Sequence, residues 1–170
     1  NSRTFVGSSI PDLQGGFGSN FRLYNFDLSL QFAYQLGGKF YDYQYAGLMH
    51  SGQLGRGWHT DMRARWSPEN PHTDVPRLEF ANQKLLSSSD RFLIDASYLS
   101  LRNISVGYSL PEEVCQKLHL NKLRYYITAE NVYLWSKRKG LDPRSSLAGV
   151  NSSAVYSPIR TVSMGLTLNF

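Results

Sequence analysis

Trp58, His59, Asp61, Arg65 and Trp66 lie close together in a stretch otherwise rich in Gly, Ser, Pro and Asn. Two indoles offer flat apolar platforms, and the carboxylate, imidazole and guanidinium offer a polar rim. That mixture suits sugars, whose ring faces carry C–H groups and whose edges carry hydroxyls. It suits a docked protein equally well. The competing reading is a loop packed on itself, with Arg65, Trp66 and the nearby prolines as stiffeners. His50, His59 and His72 share the stretch but are too widely spaced for the tight histidine pair of a common metal site. No Ser-His-Asp, Cys-His or paired-carboxylate set has supporting context. Cys115 is the single cysteine and allows no internal disulfide. The glycine-rich stretches fit no phosphate loop. Neither enzymatic activity nor a cofactor or metal is expected.

The elements that must position these groups are strands. Val162, Met164, Leu166, Leu168 and Phe170 are apolar and their neighbours Thr161, Ser163, Gly165, Thr167 and Asn169 are small or polar. This period of two marks a strand with two unlike faces. Phe26, Leu28, Leu30, Phe32 and Tyr34 repeat it, as do Ile104, Val106 and Tyr108, and Leu123, Tyr125 and Ile127. A looser version covers Leu13, Phe17, Phe21 and Leu23. The pattern predicts five strands, at about 13–24, 26–37, 97–110, 123–136 and 160–170. Its phase blurs through Asn131–Trp135, which suggests a bulge or an aromatic rim. Strands this long exceed the soluble mean of about 5–6 residues and match the roughly 9–11 that a tilted membrane crossing needs. Short connections alternate with the long loops 38–96 and 137–159, the asymmetry of an outer-membrane β-barrel.

The bulk numbers point elsewhere. The chain has 170 residues, 41% hydrophobic and 18% charged, with net charge +5 and a mean hydropathy of −0.37. Taken alone they describe one water-soluble domain. They miss β-barrels, whose signal per strand is weak. Lys and Arg scatter over the chain, so nucleic acid is not an expected partner. The opening Asn1-Ser2-Arg3-Thr4 shows neither an initiating Met nor a signal pattern, and five strands are too few to close a barrel of at least about eight. Open edges in hydrocarbon would leave backbone groups unpaired at several kcal/mol each. The chain therefore reads as a fragment or a processed product.

The motifs resemble one family along the whole chain. Asp95-Ala96-Ser97-Tyr98-Leu99-Ser100-Leu101-Arg102-Asn103-Ile104, running on to Gly107-Tyr108-Ser109-Leu110-Pro111, is similar to the D-A-S-Y-L-R-L-R-N-I-T-L-G-Y-x-L-P stretch of SusC/RagA-type TonB-linked outer-membrane proteins. Arg65-Trp66-Ser67-Pro68-Glu69-Asn70-Pro71 resembles their R-W-x-P-E-N-P loop. Lys139-Gly140-Leu141-Asp142-Pro143 and Tyr156-Ser157-Pro158-Ile159-Arg160-Thr161 resemble two later motifs, and Gly15-Gly16-Phe17 into Phe26-Asp27-Leu28-Ser29 an earlier hairpin. Ser100 departs from the family, where Arg is usual, as does Lys137-Arg138-Lys139, where an aromatic residue often precedes the Gly.

The resemblance implies an all-β antiparallel transmembrane segment, the last strands of a 22-stranded barrel, with plug and N-terminal domains absent. It implies TonB-dependent import of oligosaccharides through the bacterial outer membrane. The expected partners are a SusD-like surface lipoprotein as lid, the rest of the SusC-like chain, the TonB complex through the missing N-terminal part, and outer-membrane lipid or lipopolysaccharide. Trp58, His59, Asp61, Arg65 and Trp66 are the candidate substrate residues. Arg22, Asp27, Gln31, Thr128 and Glu130 are expected to face the lumen. Val162, Met164, Leu166, Leu168 and Phe170 resemble the barrel-assembly signal, against the alternative of an ordinary edge strand. Lys137, Arg138 and Lys139 either meet lipopolysaccharide phosphates or are simply solvated. Two other functions stay open: oligopeptide import by the same kind of transporter, and a soluble β-sandwich binding module, whose core alternates in the same way. An outer-membrane enzyme barrel would need a lumen Ser/His pair that the sequence lacks.

Overall fold

The computed structural model describes residues 5–52, 54–79, 89–137, 141–146, 149–150 and 157–170. Five long strands form one antiparallel sheet: β1 (Leu13–Leu23), β2 (Phe26–Leu36), β5 (Tyr98–Ser109), β6 (Lys122–Ser136) and β7 (Thr161–Asn169), side by side in that order. β1 and β2 are joined by Tyr24 and Asn25 alone, with Leu23 opposite Phe26. Tyr24 adopts φ 51° there, which a residue with a side chain does only where the turn demands it. β5 and β6 are joined through a short helix, α2 (Glu112–Lys117). The chain leaves the sheet after β2 and after β6, at the opposite strand ends.

Register explains the blurred phase in β6. From Leu30 to Phe32 is two steps on β2, from Ile104 to Leu101 three on β5, and from Ala129 to Tyr133 four on β6. Each strand carries one more residue than its neighbour, so the bulges stack around Arg102 and Asn131. Asn131 takes φ 50°, a conformation its short polar side chain tolerates. The extra residues put Leu101 and Leu99 back in line with Phe32 and Tyr34, so the apolar face runs on unbroken.

That face is bare. Met164 is 73% exposed and Leu166 62%, and Phe17, Phe21, Val106, Ile127 and Trp135 are exposed as well. Rings on it stack across strands, Phe17 on Phe32 at 4.9 Å and Phe26 against Tyr108 at 4.6 Å. A β-sandwich would cover these side chains with a second sheet. Among the described residues none does.

The chain divides into two compact units, the sheet with its short connections and a second built mainly from Gly38–Asp95. The long loop 38–96 thus has a fold of its own. It holds a small antiparallel pair, β3 (Lys39–Tyr41) with β4 (Leu93–Asp95), and a short helix, α1 (Tyr43–Leu48). Asp42 caps α1, its Oδ1 accepting from the Tyr45 amide at 2.9 Å. Met49, Met62 and Phe92 form the core, with Tyr41, Tyr45, Ala46 and Val75 packed against it. Among the described residues no helix is long and apolar enough to cross a membrane, which says nothing of strands.

Candidate functional site

In the second unit Thr60–Ala64 forms a 3-10 turn capped by His59, whose Nδ1 accepts from the Asp61 amide at 3.2 Å. The turn buries Met62 and turns its outer side to a cavity of about 310 Å³ lined by Trp58, His59, Thr60, Met62, Arg63, Arg65 and Leu78. Trp58 is held by its nitrogen: Nε1 donates to His50 Nδ1 at 3.1 Å and to the His50 carbonyl at 3.0 Å. His50 itself is 1% exposed. With the indole N–H engaged inward, what Trp58 offers the cavity is ring surface. The Tyr45 ring meets His59 edge-on at 4.8 Å. Arg65 Nη1 donates weakly to the Met62 carbonyl at 3.4 Å.

The structure thus brings three of the five sequence-selected residues, Trp58, His59 and Arg65, around one cavity. Asp61 is not in the lining but borders it, its Oδ2 lying 3.2 Å from His59 Nδ1 and accepting from the Tyr45 hydroxyl at 2.8 Å. Trp66 is not in the lining either; its amide donates to the Val75 carbonyl at 2.8 Å. Thr60, Arg63 and Leu78 belong to the cavity and were not among the candidates. Arg63 had a signal, two positions before Arg65 beside the aromatic pair.

The Arg65–Pro71 motif acts as a structural pin. Ser67 and Asn70 close a tight turn, with the Asn70 amide donating to the Ser67 carbonyl at 3.0 Å and to Ser67 Oγ at 3.2 Å. Asn70 Nδ2 and Thr73 Oγ1 both donate to the Ala64 carbonyl, at 3.1 and 2.6 Å. Asn70 and Thr73 thereby tie the loop to the end of the Thr60–Ala64 turn. The Glu69 carboxyl is held below the usual carboxylate range by its own backbone amide and then by the Ser67 hydroxyl. Here the self-packing reading accounts for the motif.

The sheet carries a second polar assembly. Arg22, Asp27, Gln31, Thr128 and Glu130 all lie on the face opposite the apolar one, in register rows such as Gly18–Gln31–Asn103–Glu130–Thr161. Thr128 Oγ1 donates to Ser105 Oγ at 3.1 Å. Asp27 on β2 and Arg124 on β6 reach each other across β5, in a two-pronged ion pair with Nε–Oδ1 at 3.0 Å and Nη2–Oδ2 at 2.6 Å. They pass directly over Gly107, where a Cβ would collide with both side chains. The Arg124 guanidinium also lies 5.1 Å from the Tyr126 ring, and that ring covers Gly165. Arg124 and Gly107 were invisible as a site in the sequence.

Val162, Met164, Leu166 and Leu168 share the apolar face of β7, with Phe170 just beyond its end and 83% exposed. Lys137 is described; Arg138 and Lys139 lie outside the described residues. Among the described residues no three His, Cys, Asp or Glu side chains gather as a metal site would require.

No family model matches the chain, but individual relatives do. The TonB-dependent receptor P3 of Formosa agariphila is 32% identical across 99% of this chain. The TonB-dependent receptor SusC of Bacteroides thetaiotaomicron is 35% identical across 48% of it. The RagAB peptide importer in its open-open state superposes with a TM-score of 0.80 over 96% of the chain at 26% identity, and in its closed-closed state with 0.82 over 98% at 25%. This chain belongs to the SusC/RagA-type TonB-dependent receptors. It spans about a sixth of their length, 17% of the Formosa receptor and 18% of the RagAB chain. As a receptor segment its sheet is a piece of barrel wall. That accounts for a sheet of long strands with one apolar face left exposed and both outer strands, β1 and β7, paired on one side only among the described residues.

Proposed function

We propose that this receptor segment is part of an outer-membrane transporter that imports oligosaccharides, powered through TonB and working with a SusD-like surface lipoprotein. It is not an enzyme. Its bare face meets lipid, its polar face meets the lumen, and the long loops 38–96 and 137–159 are extracellular. The observation that carries the cargo assignment is the Trp58 ring surface, fixed by His50 beside a hydroxyl and two guanidiniums. Aromatic surface with a few placed polar groups is how ligand pockets are commonly built. Trp58, His59 and Arg65 are assigned to substrate contact, with Asp61 and Trp66 as supports of the same loop. Arg22, Asp27, Gln31, Thr128 and Glu130 line the lumen against the plug. Val162, Met164, Leu166, Leu168 and Phe170 form the assembly signal.

The second reading is oligopeptide import, favoured by the similarity to a peptide importer in two states. Calorimetry of the intact receptor with its lipoprotein, against panels of oligosaccharides and peptides, separates the two. Binding of oligosaccharides, weakened by Trp58→Ala, is the expected result. Binding confined to peptides would replace the first reading with the second.

A further inference from the structure

The lining of the Trp58 cavity has a charge that a neutral sugar does not call for. Arg63 and Arg65 both border it. Among the described residues no carboxylate lies within ion-pair distance of either guanidinium. The nearest candidate in sequence, Asp61, directs its Oδ2 to the Tyr45 hydroxyl at 2.8 Å. Glu69, four residues beyond Arg65, is engaged by its own amide and Ser67. Two guanidiniums against the neighbouring carboxylate of Asp61, whose Oδ2 lies 3.2 Å from His59 Nδ1, leave the rim with an excess of positive charge beside an aromatic face. Guanidinium groups present a planar fork of donors that matches a carboxylate or a sulfate. The volume of about 310 Å³ stands at the small end of the roughly 300–1,000 Å³ usual for ligand pockets, which suits one unit of a chain and not a length of it. Met62 forms the floor at 7% exposure, and the Asn70 and Thr73 bonds to Ala64 stiffen the turn that carries Arg63. The braced floor and the fixed indole keep the platform in place, so that ordering on binding falls mainly on the exposed Arg63 and Arg65 side chains.

We infer that this cavity recognises a single acidic sugar unit, a uronate or a sulfated residue, with the ring on Trp58 and the anionic group between Arg63 and Arg65. This rests on the oligosaccharide reading above and narrows it to anionic glycans. Selectivity arises because a neutral sugar leaves both guanidiniums without a charged partner, whereas an acidic one pairs with them.

The test uses the full-length receptor in complex with its lipoprotein and measures affinity by calorimetry for tetragalacturonate, maltotetraose and an acidic tetrapeptide. Tetragalacturonate is expected to bind more tightly than maltotetraose, with a preference that shrinks as salt rises. Arg63→Gln and Arg65→Gln are each expected to lower the ratio of the two affinities about tenfold. Arg63→Lys should keep part of the preference, since charge remains while the fork is lost. Retention of the heat-modifiable folded form by each variant separates lost recognition from lost folding. Equal affinities, or a preference untouched by both glutamine variants, would overturn the inference. Tight maltotetraose binding without tetragalacturonate binding overturns it while leaving oligosaccharide import intact. Binding of the tetrapeptide alone overturns both.

Discussion

Asp27 and Arg124 are 97 positions apart in sequence, and they meet only because the strand between them carries no side chain at Gly107. The pair is about a quarter exposed on each side, so solvent screens it only in part. Gly107→Ala should force both side chains aside and weaken the barrel by about 1–2 kcal/mol. The measurement is urea unfolding of the full-length receptor. A thermodynamic cycle with Arg124→Gln checks the cause, because the alanine should cost much less once the guanidinium is gone. Full additivity of the two changes would show that Gly107 matters for some other reason. At the cavity, Trp58 offers a different lesson. Its exposure suggests a free indole, yet its nitrogen is committed to His50, and Trp58→Phe should therefore loosen the loop as well as thin the platform. Hydrogen exchange across residues 54–65 reads that loosening directly.

Among the elements, β7 separates its two faces most cleanly. Met164 lies near its centre on the apolar face, with Ser163 beside it on the other. Met164→Arg should cost about 2–4 kcal/mol if that face meets hydrocarbon near the midplane, whereas Ser163→Arg should cost far less. The amount of heat-modifiable receptor recovered from outer membranes gives the comparison, and equal losses would contradict the assignment of faces. The Ser67–Asn70 turn is the second element with a clear outcome. Asn70→Ala removes one of two donors to the Ala64 carbonyl. It should raise exchange in the Thr60–Ala64 turn and reduce ligand affinity while leaving the sheet's protection unchanged.

For the whole molecule the question is how a wall segment reaches the membrane. Deleting Phe170 should cut the folded receptor in cells several-fold and leave refolding in detergent unaffected, because an assembly signal acts through recognition and not through stability. Impaired refolding in detergent would mark Phe170 as an ordinary packing residue of the barrel. The sheet cannot stand by itself in hydrocarbon, since its outer strands still need partners at several kcal/mol per unpaired group. Stability measurements therefore belong on the complete receptor.

Which face of each strand is apolar was already determined by the residues themselves, because side chains alternate along any extended chain and Phe26, Leu28, Leu30 and Met164, Leu166, Leu168 keep that period whatever they pair with. The same local rule was enough to set Arg22, Asp27, Gln31, Thr128 and Glu130 apart from them. Register was not legible, since nothing in β5 or β6 alone says that Arg102 and Asn131 bulge together; neighbouring strands decide that by where their apolar rows must line up. The cavity was legible only in outline. Proximity in sequence gathered Trp58, His59, Asp61, Arg65 and Trp66, but a turn and a pinned loop rotate neighbours to different sides. Folding sent Asp61 to Tyr45 and Trp66 to Val75, and it brought in Arg63 and Leu78. Hydrogen bonds between distant groups made that choice, and they form only once the chain has closed on itself.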